Sequence, residues 1–169
     1  VTVSDDDSQS IQVSQTSYAL TEGGSNTFTV RLAYQPSDTV VVALSSADER
    51  AATVSATSLS FNAGNYSQVQ TVTLNAVHDD DLANETVNIA VSSSGLTTQN
   101  ISASITDDDT QSIVVSPTTL SLTEGGATGT FSVQLAFRPS ANVTVNVASG
   151  DTGAASVSSA SLTFAPESY

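Results

Sequence analysis

The sequence predicts an all-β chain of tandem antiparallel β-sandwiches, the second of them incomplete. Three observations predict it. Val, Ile, Leu and Phe recur with period two along nearly the whole chain, no segment carries a helical period, and the sequence repeats itself. Ser4-Asp5-Asp6-Asp7-Ser8-Gln9-Ser10-Ile11 returns as Thr106-Asp107-Asp108-Asp109-Thr110-Gln111-Ser112-Ile113, an offset of 102. Leu20-Thr21-Glu22-Gly23-Gly24 returns as Leu122-Thr123-Glu124-Gly125-Gly126 at the same offset. One inserted residue then shifts the offset to 103, so that Phe28, Val30 and Leu32 match Phe131, Val133 and Leu135. A period of about a hundred residues suits a string of sandwich domains and not a short-period solenoid.

The elements follow from the alternation. A first strand covers 11–16, with an extension carrying Tyr18 and Leu20. A second carries Phe28, Val30 and Leu32, a third Val40, Val42 and Leu44, and a fourth runs over 52–61. A fifth runs over 69–77, a sixth carries Val87, Ile89 and Val91, and a seventh Ile101, Ala103 and Ile105. Gly23-Gly24, Pro36-Ser37, Asn62-Ala63-Gly64 and Ser93-Ser94-Gly95 supply the turn chemistry between them. The expected domains are therefore 1–9, the end of a preceding repeat and a linker; 10–109, a complete sandwich; and 110–169, a second copy lacking everything that corresponds to residues 67–109. A sandwich without its last three strands exposes a core edge. The chain also opens in mid-pattern at Val1 without a secretion signal, so it is expected to be a piece of something longer.

Composition narrows the function. Seventeen Asp and Glu stand against three basic residues, Arg31, Arg50 and Arg138, for a net charge of −14. Such a surface repels phosphate backbones and anionic headgroups, which argues against nucleic acid and membrane surfaces and points to cations. No apolar run approaches the ~18 residues that span a bilayer, so direct membrane insertion of this segment is not expected. There is no Cys, hence neither a disulfide framework nor thiol chemistry. Small extracellular domains usually need a staple, and a metal ion is the remaining candidate.

Placement then turns composition into a site. If successive strands alternate in direction, the loops holding Glu22, Asp48 and Glu49, Asp79, Asp80, Asp81 and Glu85, and Asp107, Asp108 and Asp109 all fall at one pole, while the opposite pole holds only Asp38. Two carboxylates ~4 Å apart near a surface repel by ~4 kcal/mol at an effective dielectric of ~20. A hard cation with six to eight oxygen ligands relieves this, and Ca²⁺ tolerates irregular loop geometry better than Mg²⁺ does. Zinc is disfavoured by the absent Cys and the single histidine, His78, which reads as a strand-end residue. Each Asp triplet alone would read as a solvated linker. Asn65, Asn84, Asn100 and Asn142 read only as sequon asparagines.

Taken together, Thr21-Glu22-Gly23-Gly24, Phe28-Thr29-Val30-Arg31-Leu32, Asp79-Asp80-Asp81 with Glu85, and Ile105-Thr106-Asp107-Asp108-Asp109 resemble the Calx-β domain. The resemblance covers residues 11–109 and the partial second copy. It implies an immunoglobulin-like sandwich of the kind found in sodium–calcium exchangers, integrins and very large bacterial surface proteins. It also implies that Glu22, the acidic stretch from Asp79 to Glu85, and Asp107, Asp108 and Asp109 hold Ca²⁺. The family often carries an Asp-Tyr after the third strand, whose Asp is a ligand. Here residues 54–61 contain no acid, which implies fewer or weaker sites unless Asp48 substitutes.

The function expected is a non-enzymatic, calcium-binding structural repeat of a large extracellular or cell-surface, adhesin-like protein, with Ca²⁺ stiffening the junctions between repeats. Its partners are the neighbouring repeats, with other surface proteins or glycans beyond them, and Arg138 is expected to meet the acidic pole. A regulatory Ca²⁺ sensor of an exchanger-type membrane protein and a Ca²⁺-dependent carbohydrate-binding module are the alternatives. Catalysis has little support: the acids lie in consecutive runs without an aromatic platform, and His78 has no Ser partner or second histidine. By the same strand walk, Asp5, Asp6 and Asp7 close the site of a preceding domain, Glu124 and Asp151 belong to a second site, and one complete site is expected.

Overall fold

The computed structural model of the protein describes residues 7–169; Asp5 and Asp6 of the first triplet lie outside them. The chain is all-β, with no helix among the described residues. Its contacts gather into two compact units. The first comprises the residues up to Asp79 together with Asn84–Asp107, the second Asp80–Ala83 together with Asp108–Tyr169.

The first unit is a β-sandwich. One sheet takes β1 (Ile11–Val13), β3 (Ser25–Leu32), β7 (Gln70–Ala76) and β5 (Ala52–Val54), in the order β1-β3-β7-β5. The other takes β2 (Ser17–Thr21), β9 (Gln99–Thr106), β8 (Glu85–Ser92), β4 (Val40–Ser46) and β6 (Ser58–Phe61), in the order β2-β9-β8-β4-β6. This is the immunoglobulin arrangement, in which the first, second, fifth and fourth strands oppose the third, sixth and seventh. Every pairing is antiparallel except β2 with β9.

Each sheet buries the alternate residues that the sequence marks. Phe28, Val30, Leu32, Val72 and Leu74 from one face Val42, Leu44, Ile89, Val91, Ile101 and Ile105 from the other in a single core. Tyr18 lies against Phe28 with ring centroids 6.4 Å apart, and its hydroxyl donates to the Thr27 carbonyl at 3.2 Å.

Two of the seven expected strands are each two strands. Residues 11–16 with their extension become β1 and β2, which belong to opposite sheets, and 52–61 becomes β5 and β6, again in opposite sheets. The reason is a slip of phase. Ile11 and Val13 are odd-numbered inward positions whereas Tyr18 and Leu20 are even; Ala52 and Val54 are even whereas Leu59 and Phe61 are odd. A continuous regular strand shows one parity to one face, so a change of parity marks a break, and at both breaks here the chain crosses from one sheet to the other.

The second unit repeats part of this plan. β10 (Ile113–Ser116) pairs with β11 (Ser132–Leu135), and β12 (Val143–Asn146) with β13 (Ser161–Phe164), both antiparallel. The registers are those of the first unit: Ile113↔Leu135 answers Ile11↔Leu32, and Val143↔Phe164 answers Val40↔Phe61.

Candidate metal centre

Ladder registers bring three carboxylates of the first unit together. β2 runs beside β9 with Thr21 level with Thr106, and the Glu22 amide extends the ladder by donating to the Thr106 carbonyl at 3.1 Å. β8 lies on the other side of β9, with Glu85 opposite Ile105. β7 brings its end to the same pole, where Ala76 donates to the Gly24 carbonyl at 2.9 Å and Val77 to the Ala51 carbonyl at 2.8 Å; Asp79 follows. Carboxylate oxygens of Glu22, Asp79 and Glu85 all lie within 4.8 Å of one another.

Glu22 is seated by a turn that only glycine can make. The Gly24 amide donates to the Thr21 carbonyl at 2.9 Å, closing a four-residue turn in which Gly23 has φ 66°. A positive φ at the third position of such a turn calls for glycine. At Gly24 a Cβ would stand 2.8 Å from the Thr21 carbonyl oxygen, so no side chain fits there either. The second unit makes the same turn, with Gly125 at φ 68° and Gly126 donating to Thr123 at 2.9 Å.

The seat is a dry one. Glu22 is the one polar or charged residue buried among the described residues, and its side chain is 1% exposed. Its Oε2 lies 2.8 Å from His78 Nδ1 and accepts from the Asp79 amide at 3.4 Å. With Glu22 ionised, the tautomer that satisfies the short contact carries its proton on Nδ1. Oε1 is buried with no hydrogen-bond partner. A buried carboxylate oxygen left unsatisfied is costly, and beside two further carboxylates it is costlier.

Asp48 and its counterpart Asp151 have different surroundings. Asp48 stands outside the three-carboxylate group: its Oδ1 accepts from the Arg50 amide at 2.9 Å, and the Ser46 hydroxyl donates to its carbonyl at 2.9 Å. Asp151 makes the same turn, accepting from the Gly153 amide at 2.9 Å while Ser149 donates to its carbonyl at 2.9 Å. The repetition marks this Ser-x-Asp as turn chemistry. Glu124, the counterpart of Glu22, is exposed. Asp107 is half-buried, and its amide donates to Asn84 Oδ1 at 2.8 Å, which ties the end of β9 to the start of β8.

Asp80, Asp81, Asp108 and Asp109 fall in the second unit. There Arg138 pairs with Asp81 through its guanidinium, and its amide donates to the Asp80 carbonyl at 2.8 Å. The Ala83 amide, donating to Asp81 Oδ1 at 2.8 Å, holds the Asp81 carboxyl below its ordinary range, and Arg138 adds to the effect. Asp81 thus has its own cation.

His78 and Asn84 are the residues whose part sequence reasoning misses. His78 carries a signal, since it is the only histidine and directly precedes the first acid of the 79–81 run. Asn84 carries none beyond its place beside Glu85, because its partner is a main-chain amide twenty-three residues away.

No protein family and no curated protein matches the chain by sequence. Among solved structures, domains 4 and 5 of the S-layer protein SbsC are 26% identical over 57% of this chain and 51% of that one, with a TM-score of 0.42. Domains 1–6 of the same S-layer protein are 19% identical over 85% of this chain and 23% of that one, with a TM-score of 0.46. A Bacteroides ovatus GH5 xyloglucanase in complex with a XXXG heptasaccharide is 18% identical over 57% of this chain and 19% of the enzyme, also with a TM-score of 0.46. The chain therefore spans between 19% and 51% of the length of these structures.

Proposed function

We propose that the first unit binds one Ca²⁺ through Glu22, Asp79 and Glu85, and that the chain is a structural repeat module of a large extracellular, cell-surface protein. The observation that carries the reading is Glu22 Oε1, a buried carboxylate oxygen without a partner in a group of three carboxylates. Two oxygens bound to one Ca²⁺ at 2.3–2.6 Å lie at most about 5 Å apart, and a separation within 4.8 Å meets that limit. Three carboxylates supply three to six oxygens according to how many bind in bidentate fashion; water and main-chain carbonyls complete the usual six to eight.

His78 supplies the other side of the chemistry. By engaging Oε2 it fixes the plane of the Glu22 carboxylate and leaves Oε1 directed to an ion. The resemblance to Calx-β domains supports the same three residues. Repetition, an acidic surface and the absence of Cys suit a tandem array outside the cell, stiffened by its ions where one repeat leads into the next. The module is read as non-catalytic.

Calorimetric titration of Ca²⁺ into the chain tests the proposal. The expected result is saturable binding of about one ion per chain, abolished by the double substitution Glu22→Gln with Glu85→Gln and retained in Asp48→Asn. Retained binding in the double variant, or loss in Asp48→Asn, would overturn the assignment.

A further inference from the structure

A cleft of about 440 Å³ opens in the first unit beside the crossing from β1 to β2, within the size range of small-molecule sites. Gln12 of β1, Thr16 of the crossing, Thr29 and Arg31 of β3, Val69 before β7 and Gln99 at the start of β9 line it. The chain carries seventeen Asp and Glu, yet none of them lines this cleft. Arg31 is exposed and has no carboxylate partner among the described residues, whereas Arg138 has Asp81. On so acidic a chain, a guanidinium in a cleft clear of acids is open to an anion from outside.

The second unit shows that the fold does not require this arginine. Gln12↔Arg31 sits in the ladder of β1 with β3, between Ile11↔Leu32 and Val13↔Val30. The matching ladder of β10 with β11 keeps Ile113↔Leu135 and Val115↔Val133 but places Val114↔Gln134 between them. The apolar positions repeat and the polar pair does not. Since the ladder forms with either pair, Gln12 and Arg31 answer to something other than strand pairing.

The donor set specifies the ligand. A planar guanidinium takes a carboxylate through two parallel N–H donors. Around it, the amides of Gln12 and Gln99 and the hydroxyls of Thr16 and Thr29 can each donate and accept. Val69, 58% exposed, adds an apolar surface. An acidic sugar presents the complement: hydroxyls that donate and accept, ring C–H groups and one carboxylate. An acidic peptide would instead be held along a strand edge, and the edge strand here, β1, has only three residues.

We infer that this cleft binds a carboxylated sugar unit, with Arg31 on the carboxylate and Gln12, Thr16, Thr29 and Gln99 on the hydroxyls. None of these residues belongs to the carboxylate group proposed for Ca²⁺, so binding needs no ion.

Titration of D-glucuronate into the isotopically labelled chain, followed by amide shifts in EDTA, tests the inference independently of the Ca²⁺ site. The expected result is saturable shifts at Gln12, Thr29, Arg31 and Gln99, with Val114 and Gln134 unmoved. D-glucose, which lacks the carboxylate, and acetate, which lacks the hydroxyls, should each bind at least tenfold more weakly. Arg31→Gln with Gln12→Val writes the second unit's pair into the first, so the ladder should survive while glucuronate binding falls roughly ten- to a hundredfold. Arg31→Lys, which keeps the charge without the planar fork, should also lose most of the binding. Glucuronate that moves none of these amides would overturn the inference. So would binding retained in the double variant, shifts clustered elsewhere, or acetate or a glutamate-rich peptide that binds as tightly as glucuronate.

Discussion

Substituting Glu22 by Gln separates a buried charge kept for an ion from one kept for structure. The variant preserves shape and one carbonyl oxygen while removing a negative charge. Carboxylate oxygens within 4.8 Å repel by about 3.5 kcal/mol per ionised pair at an effective dielectric of ~20. Glu22 takes part in two of the three pairs, so about 7 kcal/mol of repulsion is relieved. Against this stands the charge-assisted contact with His78, worth roughly 1.5–3 kcal/mol. Without divalent ions, Glu22→Gln should therefore melt no lower than the unsubstituted chain. With Ca²⁺ the order should reverse. At a free concentration of ~100 Kd, an ion that binds only the folded state adds about 2.7 kcal/mol. For a unit of about a hundred residues, each kcal/mol moves Tm by about 4–8 °C, so the unsubstituted chain should rise by roughly 10–20 °C. A neutral amide oxygen should lose most of that rise. Paired melts by circular dichroism in EDTA and in Ca²⁺, with Mg²⁺ as control, read both halves. Equal Ca²⁺-induced rises in the two proteins would show that Glu22 holds no ion, and an ion-free variant that melts well below the unsubstituted chain would show that the charge is kept for structure.

Three further outcomes follow from the same structure. Gly24→Ala places a Cβ 2.8 Å from the Thr21 carbonyl and should cost about 1–3 kcal/mol in urea unfolding, with at least tenfold weaker Ca²⁺ binding, whereas Gly126→Ala, with its Cβ 2.9 Å from the Thr123 carbonyl, should leave Ca²⁺ affinity unchanged. Phe28→Ala empties a core position and should cost about 3–5 kcal/mol, while Phe131→Ala, at a site 42% exposed, should cost under about 1 kcal/mol; equal costs would contradict the assignment of the two faces. The folded-state pKa of Asp81 lies below its unfolded value, so the stabilisation from its contacts is fully present above the unfolded pKa and is lost as pH falls through the folded one. Arg138→Gln should raise the NMR titration midpoint of Asp81, and an unmoved midpoint would show that the Ala83 amide acts alone.

Much of this architecture is written locally. Period-two alternation locates the buried residues of β3, β4, β7, β8 and β9, and the internal repeat locates the second unit's hairpins before any coordinate is known. Alternation counted by residue type alone joins β1 to β2 and β5 to β6; counted by parity, it separates them. The nearness of Glu22, Asp79 and Glu85 is legible in loop order along the chain. The choice among the acids there is not. Asp48 and Asp151 answer to turns made within three residues, and Asp81 answers to Arg138. Glu22 is selected by ladder register with β9, and by a burial that depends on residues fifty-six and more positions away. Neither is visible in a run of carboxylates read along the sequence.

The proposed Ca²⁺ site on Glu22 Oε1 is open to long-wavelength anomalous diffraction from crystals grown in Ca²⁺. An anomalous peak is expected 2.3–2.6 Å from Glu22 Oε1 and from carboxylate oxygens of Asp79 and Glu85. Crystals saturated with Ca²⁺ that show no peak at these three residues, or show one only at Asp48 or Asp81, would contradict it.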